Sequence, residues 1–309
     1  EIMITSGALN AVNLILTAIG RRGERALVEQ PTFPHALEAL HRHGYRLVPT
    51  PVDTDGWDTR HLTDTLLTAR PHVAYLIPDF HNPTGATLPQ EERSRIATTA
   101  RNTGTHLIVD ETTAELDIDR GWAPVPMAAE GPNVITVGSM SKIAWGGMRI
   151  GWVRAERSVI ARLLAVRPSF ELGTALLEQC IAVELLDDVP ALTHHVRRRL
   201  TAGRDAVAAG IADIPGMRMP ETPGGLSAWI DLGAPLSTTL SLAARERDLI
   251  LPPGPRFTTG GVLERRLRVP ITLPPERTAE AMTRLAQAWA DVRGGGVDAT
   301  ADLAHAAVI

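Results

Sequence analysis

A chain of 309 residues, 44% hydrophobic and 21% charged, can bury one large core or two ordinary ones, which excludes wholesale disorder and fibrous repeats. Its formal net charge of −4 argues against a nucleic-acid-coating surface, and its apolar runs are broken by charge or proline short of a membrane-spanning length. Cys180 is the one cysteine, so no intrachain disulfide is possible and a reducing, cytoplasmic setting is expected. One feature of the composition is unusual: of 31 Lys plus Arg residues a single one, Lys142, is lysine, leaving 30 arginines.

Taken in chain order, short apolar runs alternate with segments of helical period. The runs are Ala26 to Val28, Arg46 to Val48, Val73 to Ile77, His106 to Val109 and Val134 to Val137. Between them the spacing predicts helices over Ala11 to Ile19, Leu37 to His43 and Glu91 to Arg101. This alternation predicts an α/β fold with a mostly parallel sheet covered on both faces. From Glu156 the pattern turns helical, with an apolar stripe through Val159, Leu163, Leu164, Leu176, Leu177, Ile181 and Leu185. A helix from about Leu192 to Ala212, a strand over Leu226 to Leu232, a helix over Thr238 to Arg247 and strand pieces near Ile250 and Leu267 predict a smaller α+β unit. The expected division is 1–165, 166–292 and a flexible glycine-rich tail, 293–309. No metal-ligand spacing is present, and the pairs His41/His43 and His194/His195 read as surface histidines on helices. The chain opens Glu-Ile-Met-Ile-Thr, and a segment preceding it is expected.

In open parallel sheets ligands sit beyond the carboxyl ends of the strands, so chemistry is sought just after each run. There stand Glu29-Gln30-Pro31-Thr32-Phe33-Pro34, His81-Asn82-Pro83-Thr84-Gly85, Asp110-Glu111, and Gly138-Ser139-Met140-Ser141-Lys142 with Arg149 seven residues on. Taken singly, each has an ordinary reading as a turn, a helix cap or a loop. Their recurrence at successive strand ends favours one composite site.

With Ile4-Thr5-Ser6-Gly7-Ala8, Asn82-Pro83-Thr84-Gly85, Asp110, Ser139-Met140-Ser141-Lys142, Gly147-Met148-Arg149-Ile150-Gly151-Trp152 and Leu267-Arg268-Val269, the chain resembles the fold-type I, pyridoxal-phosphate-dependent aminotransferases of class I and II. The likeness runs over about residues 1 to 290, with the motifs in the family's order. It implies an aspartate aminotransferase-like large domain and a smaller C-terminal one. It also implies pyridoxal 5'-phosphate as cofactor, an amino acid and a 2-oxo acid as substrates, and a homodimer.

By the same resemblance Lys142 forms the cofactor's aldimine and then carries the proton between substrate and cofactor, a task that needs an amine able to lose its proton. Asp110 pairs with the pyridine nitrogen. Asn82 donates to the ring's phenolic oxygen, beside the substrate, and Phe33 stacks on the ring. Ser6, Gly7 and Ala8 open a helix whose free N–H groups face the phosphate, joined by Ser139, Ser141 and Arg149. Arg268 clamps the substrate α-carboxylate, with a surface role as the alternative because Arg265 and Arg266 adjoin it.

Three departures stand out. Thr113 occupies the place of the family's tyrosine, three residues after the aspartate; Trp145-Gly146-Gly147 replaces the usual Pro-Gly; and the family's first quarter would precede Glu1. The motif stretches around Lys142 and Asp110 are also similar to the effector domain of MocR-type regulators, in which a GntR-type DNA-binding segment precedes an aminotransferase-like domain. Two functions therefore stay open, an aminotransferase and a sensing domain. Other pyridoxal-phosphate chemistries, such as β-elimination or decarboxylation, would use the same residues.

Overall fold

The computed structural model describes residues 1–123 and 125–295. Its elements in order are β1 (Ile2–Thr5), α1 (Ala8–Ile19), β2 (Arg25–Gln30), α2 (Pro34–Arg42), β3 (Arg46–Asp53), β4 (Gly56–Trp57), α3 (Thr59–Ala69), β5 (Val73–Leu76), α4 (Gln90–Thr103), β6 (His106–Asp110), β7 (Val134–Ser139) and β8 (Gly151–Arg154). There follow α5 (Arg157–Val166), α6 (Leu176–Leu186), α7 (Val189–Ala212), β9 (Ser227–Asp231), α8 (Ser237–Arg245), β10 (Arg266–Pro270) and α9 (Pro275–Arg293).

Eight strands make one sheet in the order β1-β8-β7-β6-β5-β2-β3-β4. The run β7-β6-β5-β2-β3 is parallel, as the alternation predicts, whereas β8 is antiparallel to both its neighbours and β4 to β3. The central strands are apolar on both sides because both faces are covered. Tyr75, Ile77, Ile108, Ile135 and Val137 pack with α1, α2 and α5, while Leu27, Ala74, Leu76, Leu107 and Val109 pack with α3 and α4. The chain leaves β2 toward β3 on one side and continues from β5 through β6 to β7 on the other. That reversal opens a crevice at the carboxyl ends of β2 and β5.

Two strands, β1 and β8, lie where the sequence showed only motifs, since four residues are too few to carry a period. They pair with each other in the register Ile4↔Trp152 and Thr5↔Gly151. The first motif of the chain is thereby held against the last motif of the large sheet, 143 residues away along the backbone at the Ser6–Arg149 contact. Helices α3 and α9 are likewise additions to the sequence reading.

The C-terminal part contains an antiparallel pair, β9 with β10, backed by α7, α8 and α9. Its core residues Leu200, Val207, Ile230, Leu267, Met282 and Leu285 are continuous with Met140, Ile143 and Met148, which lie around the lysine turn. The segment near Ile250 is no strand. It runs irregularly to Pro253, which makes one bridge with Leu267, because prolines at 252 and 253 remove two ladder donors.

The predicted apolar stripe divides. Val159 and Leu163 are buried, but Leu164, Leu176, Leu177 and Ile181 are exposed, Leu176 by 75%. His41, His194 and His195 are exposed and His43 is half-buried. Arg293 closes α9 rather than beginning a tail, and the expected tail beyond Gly295 lies outside the described residues. Among the described residues no helix is long and apolar enough to cross a membrane, and no group of His, Cys, Asp or Glu is placed to hold a metal.

Candidate active site

The carboxyl ends of β2, β5, β6 and β7 open onto one cleft of about 840 Å³ between the large sheet and the C-terminal part. Ala8, Phe33, Asn82, Asp110, Ser139, Ser141, Lys142, Arg149 and Arg268 all line it, so the structure brings together nearly every residue singled out in the sequence. Gly7 is not among the lining residues and lies against the Arg149 guanidinium.

One end of the cleft is built for an anion. Gly7, with φ at +94°, precedes α1, whose first free backbone N–H groups belong to Ala8, Leu9 and Asn10; Ala11 is the first to bond back, 3.1 Å to the Gly7 carbonyl. The Arg149 guanidinium lies so close that a Cβ on Gly7 would stand 2.3 Å from its nitrogen. Its own backbone is left-handed, φ +53°, and one guanidinium N–H donates to the Ser6 carbonyl at 3.2 Å. Ser139 behaves differently from expectation. Its hydroxyl donates to the Ile150 carbonyl at 3.0 Å and accepts from the Ser141 N–H at 3.1 Å, so it shapes the turn that presents Ser141 and Lys142.

At the centre, Asp110 ends β6 and is 6% exposed. Its Oδ1 accepts from the Thr112 N–H at 3.0 Å and its Oδ2 from the Tyr75 hydroxyl at 2.6 Å. Phe33 caps α2 at the mouth of the crevice, edge-on to His35 with ring centroids 5.3 Å apart. Asn82 follows a buried base: Glu29 accepts from Trp57 Nε1 at 2.8 Å and the Ile77 N–H at 3.0 Å, and lies 3.2 Å from His81 Nε2. The Asn82 Oδ1 is buried without a hydrogen-bond partner. An orphaned amide atom at a cleft wall is a costly arrangement unless a ligand engages that amide. Thr113 cannot stand in for the family's tyrosine, because its hydroxyl donates inward to the Asp79 carbonyl at 2.6 Å. Asp79 in turn is locked by Arg93 and Arg120, at 2.9 and 2.6 Å.

Lys142 stands exposed in the open cleft, just after the turn that Ser139 closes. Burial, and then the Arg268 charge, lower its pKa below the ordinary lysine value; Asp110 opposes this and Arg149 adds to it. Arg268 stands on β10 opposite Trp229, with Nε donating to the Ser227 hydroxyl at 2.9 Å. Burial pushes its guanidinium down to about 10. Among the described residues no carboxylate pairs with it, whereas its neighbour Arg265 reaches Asp231 at 3.8 Å. The surface alternative for Arg268 is thus set aside: it is a desolvated cation facing the cleft and suited to a carboxylate.

The family model for class I and II aminotransferases matches residues 1–286. The chain belongs to this family. It is 30% identical over 298 residues to a 2-aminoadipate transaminase of Thermus thermophilus, covering 93% of this chain and 75% of that one. It is also 30% identical over 248 residues to the HTH-type transcriptional regulator YdfD of Bacillus subtilis, covering 78% of this chain and about half, 51%, of the regulator. Among solved structures it superposes on LysN, the α-aminoadipate aminotransferase of Thermus thermophilus complexed with N-(5'-phosphopyridoxyl)-L-leucine, with a TM-score of 0.88 at 28% identity over 95% of this chain and 78% of that one. The fold is that of aspartate aminotransferase, and the chain is a fold-type I aminotransferase domain.

Sequence reading missed Tyr75 and Thr112. Tyr75 sits inside the apolar run Val73 to Ile77, where a tyrosine looks like core filling. The available signal was its hydroxyl, which a fully buried phenol must satisfy.

Proposed function

We propose that the chain binds pyridoxal phosphate on Lys142 and moves an amino group between an amino acid and a 2-oxo acid. The observation that carries this reading is the convergence of the chain's one lysine, its amine pKa lowered, with Asp110 and the carboxylate-free Arg268 in one cleft. The residues fit the cofactor: N–H groups and a guanidinium at one end for a phosphate, the Asn82 amide on the cleft wall to donate its N–H to a phenolic oxygen, and a buried carboxylate for a ring nitrogen.

When bound, the cofactor supplies an aldehyde that condenses with amines and a ring that accepts electron density. The residues divide the remaining work. The α1 N-terminus, Ser141 and Arg149 hold the phosphate, and Asn82 and Phe33 fix the tilt of the ring. Asp110 holds a proton at the ring nitrogen. Arg268 binds the substrate carboxylate and orients the Cα–H bond. Lys142 needs its neutral amine to attack a carbonyl, and the positive neighbours favour that form; the same amine then moves the proton on and off Cα. We further take the protein as a cytoplasmic homodimer, a reading supported by a single unpaired cysteine and by the exposed Leu172, Leu176 and Leu177.

One observation favours a second reading, a domain that senses pyridoxal phosphate or an amino compound for a DNA-binding segment. Thr113 spends its hydroxyl on Asp79, so the ring oxygen has no tyrosine, and turnover would be slow. Borohydride treatment of reconstituted protein should fix the cofactor to the peptide containing Lys142. Half-reactions with a panel of amino acids then separate enzyme from sensor by rate. A colourless protein with Lys142 unmodified would sink both readings.

A further inference from the structure

Among the described residues outside the cleft lining, Tyr75 is the one group with a direct, short bond to the aspartate at its centre. β5 and β6 run parallel with Tyr75 opposite Ile108, and Asp110, two residues on, projects from the same face as Ile108. A phenol is long enough to reach diagonally along that face, and its hydroxyl meets Asp110 Oδ2 at 2.6 Å. Tyr75 is 1% exposed and Asp110 is its one hydrogen-bond partner among the described residues. The phenol therefore has nowhere else to donate. Burial, then the charge of Asp110 and the hydrogen bond to it, raise the Tyr75 pKa well above the ordinary value, so it acts purely as a donor. With the Thr112 N–H on Oδ1 at 3.0 Å, each carboxylate oxygen carries one fixed donor from the protein.

Resting on the reading that Asp110 faces the cofactor's ring nitrogen, we propose that Tyr75 is a positioning residue that locks the Asp110 carboxylate in rotation and keeps the proton shared with that nitrogen on the nitrogen. A buried carboxylate and a ring cation stripped of water tend to neutralise each other by passing the proton to oxygen. Hydrogen bonds to the charged carboxylate oppose that transfer. Tyr75 and the Thr112 amide make the two such bonds. The tyrosine hydroxyl missing at position 113, beside the ring oxygen, is thus matched by one at the opposite edge of the site, acting through Asp110.

Two measurements test this. The chain has two tyrosines, Tyr45 and Tyr75, so protein grown on 3-fluorotyrosine gives two fluorine resonances, assigned with Tyr45→Phe. In the cofactor-free protein Asp110→Asn should move the Tyr75 resonance and leave that of Tyr45 in place; an unmoved Tyr75 signal overturns the contact and the proposal. Separately, wild type and Tyr75→Phe are loaded with cofactor labelled with ¹⁵N in the ring. Wild type should show the pyridinium position and Tyr75→Phe a shift toward neutral pyridine, with the half-reaction slowed about tenfold, the cost of one hydrogen bond to a charged group. Loaded Tyr75→Phe with an unshifted nitrogen overturns the proposal while sparing the cofactor reading. Wild type that takes up no cofactor overturns the reading, and the assignment with it, whatever the fluorine result. Tyr45→Phe should leave the nitrogen signal unchanged, which separates the effect from loss of a phenol elsewhere.

Discussion

Glu111 offers a test of how the site's surroundings are balanced. It follows Asp110, its N–H donates to the Val137 carbonyl at 2.9 Å, and its carboxyl accepts from the Met127 N–H at 2.8 Å. Burial raises its pKa from 4.5 to about 7, with Asp79 and Glu115 adding to the rise and Met127 and Arg93 opposing it. The folded form is raised above the unfolded one. Its contribution to stability is therefore complete below about pH 4.5 and is lost as pH rises through about 7. At about 1.4 kcal/mol per pH unit of that interval, a fully dry carboxyl would forfeit about 3 kcal/mol; the side chain is only partly buried, so about 1–2 kcal/mol is expected after solvent screening. Glu111→Gln removes the ionisation and keeps an oxygen for the Met127 N–H. At pH 8 the variant should gain about 1–2 kcal/mol, or about 2–3 °C in Tm for a chain of this size. At pH 5 it should gain little. Calorimetry at both pH values decides it: an equal shift at both, or a loss at pH 8, refutes the reasoning.

Other outcomes follow from the same geometry. Lys142→Arg keeps the charge but supplies no amine able to attack a carbonyl, so borohydride should leave no cofactor on the peptide, as mass spectrometry will show. Arg268→Gln removes a charge that holds the Lys142 amine down; the pH at which pyridoxal attaches to Lys142 should move up, and affinity for an amino acid should fall by about 1.5–3 kcal/mol, measured by titration of the loaded protein. Gly7→Ala puts a Cβ into the Arg149 guanidinium at a left-handed position, so cofactor phosphate should bind at least about tenfold more weakly while pyridoxal without phosphate is little affected. Fluorescence titration with the two cofactors separates these cases.

Much of the fold is legible in the sequence. The parallel sheet follows from five apolar runs, and nine residues singled out by motif line one cleft, though not every one offers its polar group to it. Ser139 does not, because its hydroxyl closes the turn on Ile150. What the sequence concealed has physical causes. β1 and β8 are too short for a period, and their pairing joins residues that no local pattern connects. Tyr75 hides in a run whose apolar neighbours mask the one polar atom that matters. Thr113 announces the loss of a tyrosine, but only its bond to the Asp79 carbonyl tells that nothing replaces it at that edge. The stripe on α6 reads as core by composition and lies open, since periodicity reports amphipathicity and not what covers it.

Because Lys142 is the chain's one lysine, opens into the cleft and has its amine pKa drawn down, ordinary amine-selective reagents become site-selective here without mutagenesis. An acylating dye used at neutral pH should therefore mark the cleft floor first, and its rate of attachment becomes a direct optical gauge of what occupies the site.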